Sequence, residues 1–410
     1  MSFKTFSFHP QIQAGINAVG YENPTAIQEQ TIPAIMEGSD ILGLAQTGTG
    51  KTAAFVLPML ERLMSGQRGK LRALIISPTR ELAEQTNKAI RELARKTGLR
   101  SMSIYGGISQ QLQVRGLRGG TEIVVACPGR LMDLMDQKIV SLQNIEVLVL
   151  DEADQMFDMG FLPTIKKIVR QIPENRQTLL FSATMPEEIR SLANEFLKNP
   201  ITVDIEASKP LKTISHAIYP IEQLQKTKML LALLDKKDDG QVLIFTRTKH
   251  RAKKLADQLD KAGNSVTSLQ GDLSQIQRDR AMDRFRSGHA RIMVATDIAA
   301  RGIDVSKISK VINYDMPNTA DAYTHRIGRT GRMEHTGMAL SLVTSEDLPM
   351  IRTIERLLGK SLERKELVGF EQYSNELDHA SPSPIKKSNN GNRYRKYPAN
   401  RQQKSFSPAR

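Results

Sequence analysis

Residues Ile41 to Thr52 read ILGLAQTGTGKT, a short apolar run, a loop with two glycines, and then the start of a Leu/Met-rich helical pattern. Strand, glycine loop and helix in that order make a phosphate-binding loop. Gly48, Thr49 and Gly50 let backbone N–H groups wrap phosphates at a helix N-terminus, Lys51 brings a point charge to the β and γ groups of a nucleotide, and Thr52 offers a hydroxyl to Mg²⁺. Ala45 stands where the strict pattern has glycine, and a small residue still serves at the loop entrance. A Gly-rich turn before a helix is the bland alternative, and a second element argues against it. The apolar run Val147 to Leu150 ends in Asp151 and Glu152. A buried parallel strand delivers its C-terminal carboxylates to the crevice where α/β sheets bind ligands. There Asp151 can hold Mg²⁺ and Glu152 can orient and deprotonate the attacking water.

Working outward, short apolar runs alternate with helical patterns, as expected for parallel sheets covered on both faces. The runs predict strands at 41–44, 73–77, 123–126, 147–150 and 178–181, and a second set at 242–245, 265–269, 292–295, 310–314 and 338–343. Between the sets, EASKPLKT (206–213) breaks both periodicities and reads as a linker. The expected division is a nucleotide-binding domain over 1–205, the linker, a second domain over 214–370 and a tail over 371–410. That tail is rich in Ser, Asn, Pro, Lys and Arg, too poor in large apolar groups to offset ordering entropy, and is expected to be disordered. The length of 410 residues suits two ordinary cores. A net charge of +14 favours a polyanionic partner without distinguishing nucleic acid from an anionic membrane, and a solvated basic surface is the bland alternative. No apolar run approaches the roughly 20 residues that span a bilayer, so a soluble, unexported protein is expected, and no membrane is among the expected partners. The lone Cys127 cannot form an internal disulfide, which agrees with a reducing cytoplasm. The seven histidines contain no i, i+4 pair, which makes a zinc site improbable.

The run Asp151, Glu152, Ala153, Asp154 resembles the name-giving motif of the DEAD-box RNA helicases, and the likeness continues in order through much of the chain. The resemblance implies two RecA-like P-loop NTPase domains and RNA-stimulated ATP hydrolysis coupled to local duplex opening. An ATP-gated RNA clamp and a DNA translocase are the competing readings. Gly20 to Gln28, GYENPTAIQ, is similar to the family's adenine-reading segment, with Gln28 as the pairing amide and Phe3 as the aromatic that stacks on the base. Ser182, Ala183 and Thr184 resemble the segment whose hydroxyls couple the acidic run, through Asp154, to domain closure. His325 to Arg332, HRIGRTGR, resembles the family's arginine-finger motif, which makes Arg329 and Arg332 the fingers and His325 the coupling to the first domain. In ATDIAARGID (295–304), Gly302 and Asp304 are implied on the nucleotide side. RNA-backbone contacts are implied for Thr79, Arg80, Gly107 and Arg130 in the first domain, and for Gln277, Arg280 and Thr296 in the second. Cys127 replaces the family's usual threonine. The compact body resembles the bacterial RhlE-type subgroup, with a cytoplasmic location and ribosomal or RNA-decay proteins as expected partners.

The tail carries Lys386, Lys387, Arg393, Arg395, Lys396, Arg401, Lys404 and Arg410 among Tyr394, Tyr397 and Phe406. Cations that displace counterions and aromatics that stack on bases read as a sequence-tolerant RNA tether. Deleting 381–410 is expected to weaken RNA binding and to flatten its log-log salt dependence by about 0.7 for each single-strand phosphate that is no longer bound. ATP turnover at saturating RNA is expected to survive, and an unchanged salt slope would leave the tail without an RNA role.

Overall fold

The computed structural model describes residues 2–46, 48–205, 214–234, 240–300, 308–330 and 337–370. The segment read as a linker, the tail, and Gly302, Asp304 and Arg332 therefore lie outside the described residues. The first domain is built on β1 (Ile41–Leu44), β2 (Ala73–Ile76), β3 (Ser101–Ile104), β4 (Ile123–Ala126), β5 (Val147–Leu150), β6 (Gln177–Ser182) and β7 (Ile201–Asp204). They form one sheet in the order β3-β4-β2-β5-β6-β1-β7, with every pairing parallel. Successive residues face opposite sides, so Ala73 and Ile75 enter one core while Leu74 and Ile76 enter the other. Val147 and Val149 divide from Leu148 and Leu150 in the same way. Both faces must be apolar because helices cover both, which explains continuous apolar runs in place of alternation.

The second domain repeats the plan with β8 (Ile214–Pro220), β9 (Gln241–Phe245), β10 (Val266–Leu269), β11 (Ile292–Ala295), β12 (Ile308–Asn313), β13 (Gly337–Val343) and β14 (Glu363–Arg364). Its order is β10-β11-β9-β12-β13-β8-β14, again parallel. The expected two parallel-sheet α/β domains are thus observed. Four strands, β3, β7, β8 and β14, are additions to those expected from sequence. In the first sheet, β5, β6 and β1 are neighbours, and Leu44 pairs with Ser182. The phosphate loop, the acidic run and the Ser182–Thr184 segment consequently leave the same edge side by side.

The helix Pro10–Ala18 carries the N-terminal segment onto the helix Arg80–Leu93. Gly15 makes that approach: a Cβ there would lie 2.0 Å from the Leu93 carbonyl oxygen. Backbone cannot swing aside as a side chain can, so the helix would have to lift. Gly15→Ala is expected to destabilise the first domain by about 1–3 kcal/mol, the usual cost of overpacking. A thermal unfolding midpoint equal to the parent's would show that the helix shifts without cost.

Candidate active site and nucleic-acid edge

The phosphate loop leaves β1 through Ala45, whose N–H donates to the Ser182 carbonyl at 3.0 Å. Gly48 and Gly50 have φ of 93° and 99°, left-handed values that favour glycine. At Gly50 a Cβ would also meet the Gln28 amide nitrogen at 2.5 Å. Gln28 braces this loop: its Nε2 donates to the Gly50 carbonyl at 3.0 Å, and its Oε1 accepts the Thr25 N–H at 2.9 Å. An amide has two donor hydrogens and two acceptor lone pairs, so one of each remains for an adenine edge. Phe3 is only 2% exposed, because Tyr21 stacks on it at 5.9 Å and 23°. Tyr21, itself 41% exposed, is the aromatic that borders the cleft more openly. Both line a cleft of about 520 Å³ together with Gln28, Lys51, Thr52 and Asp151, a volume within the range of small-molecule sites.

At the floor, Lys51 Nζ lies 3.0 Å from Glu152 Oε1, with both side chains almost wholly buried. Burial works against the Lys51 charge, but Glu152, Asp151 and Asp154 outweigh it and raise its pKa above the ordinary lysine value. Asp151 has the opposite problem. Burial first, and then the neighbouring Glu152, push its carboxyl up to about 7, and its Oδ1 is buried without a hydrogen-bond partner. A buried carboxylate oxygen left bare beside a second carboxylate fits a divalent cation, whose charge would oppose that shift. Glu152 has φ 55° and ψ 53°, left-handed backbone for a non-glycine residue, a strain that persists where surrounding structure imposes it. Gln155 Nε2 donates to its Oε2 at 3.2 Å.

Asp154 joins three segments. Its N–H donates to Ser182 Oγ at 3.2 Å, and its Oδ2 accepts from the N–H of Thr184 at 3.1 Å and from that residue's hydroxyl at 3.2 Å. His325 Nε2 arrives from the second domain at 3.4 Å from the same oxygen. Burial opposes ionisation here, but the His325 contact and the Lys51 charge prevail and hold the carboxyl down at about 2. Four residues beyond His325, Arg329 is buried just past the C-terminus of the helix Ala320–Ile327. The neighbouring Arg326, to which the sequence pattern gave no role, is a scaffold. It makes a bidentate pair with Asp297 at 2.5 and 2.7 Å and lies 4.9 Å over the Phe245 ring.

On the adjoining edge, Thr79 caps the helix Arg80–Leu93 by accepting from Leu82 N–H at 3.3 Å. The Arg80 guanidinium sits on Gly107, where a Cβ would come within 2.3 Å of it, and donates to Gln275 Oε1 in the second domain at 3.0 Å. Arg130 is mostly buried, 3.8 Å from Asp133, with Nη1 lacking a partner. Thr296, at the end of β11, is half-buried. Burial, reinforced by Glu81 and only partly countered by Arg80, pushes the Cys127 thiol up to about 12, so it remains neutral.

Gln277 and Arg280 are placed differently from expectation. Gln277 is engaged in a capping box with Ser274, and both it and Arg280 are exposed on a groove with Asp257 and Asp260. The pair that faces the first domain is Gln275 and Arg278, where Arg278 Nε donates to Glu81 Oε1 at 2.7 Å and Nη2 closes on the same oxygen. The same three-residue spacing occurs twice in QIQRDR (275–280), and a helix turns residues two apart to different faces.

Two family models match this chain. Residues 25–192 match the DEAD/DEAH box helicase model, and residues 225–334 match the helicase conserved C-terminal domain. RNA helicase CrhR of Synechocystis is 44% identical over 84% of this chain and 70% of its own length. ATP-dependent RNA helicase CshA of Limosilactobacillus reuteri is 42% identical, covering 87% of this chain and 72% of that one.

The chain belongs to the DEAD-box ATP-dependent RNA helicases.

Among solved structures, Saccharomyces cerevisiae Dbp5 bound to RNA and ADP BeF3 is 32% identical with a TM-score of 0.81, covering 89% of this chain and 95% of that one. A DEAD box protein from the hyperthermophile Methanococcus jannaschii is 34% identical over 89% of this chain and 99% of its own, yet its TM-score is 0.52. The higher TM-score is to the RNA- and nucleotide-bound chain, and in this DEAD-box chain His325, Gln275 and Arg278 make contacts between the two domains. Arg278→Ala is expected to raise the RNA concentration that half-saturates ATP turnover by at least about tenfold, the factor given by a coupling weakened by about 1.4 kcal/mol. Arg280→Ala is expected to change it little. A larger effect at Arg280 would move the cross-domain contact to the outer helix face.

Proposed function

We propose that this helicase hydrolyses ATP only when RNA and nucleotide together close its two domains, and that closure locally opens RNA duplexes. The observation that carries the reading is Asp154, held at once by Thr184 of its own domain and by His325 of the other. Gly48, Thr49, Gly50 and Lys51 cradle the phosphates, Gln28 and Phe3 with its partner Tyr21 take the base, and Thr52 and Asp151 would hold Mg²⁺. Bound there, Mg²⁺ supplies charge neutralisation at the phosphate oxygens. When the γ-phosphate takes the Lys51 charge, Glu152 gives up the 3.0 Å ion pair that now occupies it and becomes available to orient water and accept its proton. Arg329 and Arg332 stabilise the charge that develops on the leaving phosphate, and Gly302 and Asp304 complete the nucleotide side. Because these groups are divided between domains, an open chain cannot assemble them.

RNA is held along the edge carrying Thr79, Arg80, Gly107 and Arg130, with Thr296 across the cleft. Backbone N–H groups and cations there bind sugar and phosphate without reading sequence. Gln277 and Arg280 could meet only RNA that passes over the outer helix face. A clamp that scarcely unwinds would need the same contacts, and the helicase names of the relatives favour unwinding. The RhlE-type placement rests on the compact body and basic tail, while the relatives described above carry the names CrhR and CshA. Among the described residues no helix is long and apolar enough to cross a membrane, in keeping with work in the cytoplasm beside ribosomal or RNA-decay proteins. The tail over 371–410 serves as an auxiliary RNA contact.

Glu152→Gln preserves size while removing the base. ATP and RNA binding are expected to persist while turnover falls about 10²–10⁴-fold, the usual share of general-base catalysis, and closed RNA-bound protein should accumulate. Near-parental turnover in that variant would place the base elsewhere.

A further inference from the structure

Three loops enter β2, β3 and β4 at their N-terminal ends, and those strands are neighbours in the order β3-β4-β2. Glu122 ties the loops together. Its buried carboxylate accepts from Gly69 N–H at 3.1 Å and from Arg100 N–H at 2.9 Å, and Arg68 lies 3.9 Å away. Arg68 also donates to the Thr97 carbonyl at 3.0 Å, and Arg100 donates to the Gly119 carbonyl at 2.6 Å. On this braced frame Arg68, Lys70, Arg95, Lys96, Arg100 and Arg118 are all exposed. The nearby carboxylates are already committed. Glu122 is 3% exposed, Glu146 pairs with Arg72 at 2.5 Å, and Glu92 pairs with Lys88 at 3.9 Å. Among the described residues, none of Lys70, Arg95, Lys96, Arg100 and Arg118 has a carboxylate within ion-pair distance.

From this geometry we infer a second polyanion-binding surface at the N-terminal end of the first sheet, fitted to the phosphate rows of a folded, duplex-containing part of the RNA. The inference rests on the proposed RNA function but uses none of its residues. The phosphate loop and the Thr79, Gly107 and Arg130 loops leave the C-terminal ends of strands in the same sheet, so the two surfaces are at least a strand length apart. Four residues of strand span about 13 Å before the loops are counted. A single strand stretched along the C-terminal edge does not also lie on the opposite end. A stiff helix that runs on past the edge strand β3 does, and duplex RNA is bound through shape and phosphates more than through bases. Fixed cations suit that target because their loops are ordered before RNA arrives. An acidic protein would be served by the same charge, but the chain's own substrate class is the polyanion already at hand.

The test uses the full chain with Lys70, Arg95, Lys96 and Arg118 all changed to alanine, which leaves the Glu122 brace intact. Two probes are compared across a potassium chloride series with a non-hydrolysable ATP analogue: a short single strand, and the same strand continued into a stable RNA hairpin. The variant is expected to keep its unfolding midpoint, its single-strand affinity and its ATP turnover at saturating single strand. On the hairpin probe its log-log salt slope should fall by at least about two, each duplex phosphate contact contributing about 0.9. An unchanged hairpin slope overturns the inference and leaves the surface to an acidic protein. Equal weakening on both probes overturns it too, since the cations would then belong to the single-strand path. Failure of the parent to be stimulated by either RNA would instead sink the proposed function, because hairpin binding is read separately from turnover.

Discussion

Three carboxylates, Asp151, Glu152 and Asp154, are buried at the end of one apolar strand, and the domain is organised around making that arrangement tolerable. Burying a charge is costly unless it is paired. Each acid finds a different solution. Glu152 takes Lys51, Asp154 takes hydroxyl and N–H donors with His325 opposite, and Asp151 keeps a bare oxygen. The one that is left unsatisfied is the one whose protonation is pushed upward. A divalent cation at the bare Asp151 oxygen and an anionic ligand at Lys51 would together let the Lys51–Glu152 pair separate.

The same constraint explains the joint between domains. Glu81 and Arg80 begin a helix in the first domain, and Arg278 and Gln275 meet them from the second. The mostly buried Arg278–Glu81 pair is specific because either partner alone would be a stranded charge. Closure therefore has two anchors, one at Asp154 beside the nucleotide cleft and one beside the Thr79 and Gly107 loops.

The strands missed in the sequence share a physical cause. β3, SMSI, and β7, ITVD, are edge strands partly open to solvent, so their residues need not be apolar. β8, ISHAIYP, lies inside its sheet but carries a histidine and a proline; His216 is accommodated because Tyr323 hydroxyl lies 3.1 Å from its Nδ1. β14 has two residues, too few for any periodicity to register. Arg326 and Gln155 escaped notice for another reason: their partners, Asp297 and Glu152, are recognisable only once the backbone has folded.

The sequence by itself determined the parallel α/β class, the phosphate loop, the acidic run and the arginine-rich loop, because each is local. A glycine's freedom, a strand's apolar run and a lysine at a helix start are properties of neighbouring residues, and tertiary structure only puts them to use. The tertiary structure alone decided which of two equally spaced pairs in QIQRDR faces the cleft, that Tyr21 covers Phe3, and that His325 meets Asp154. It also decided that cations from three separate loops form one surface around Glu122. Those are relations between residues distant in the chain, and their distances are set by packing, which no local pattern encodes.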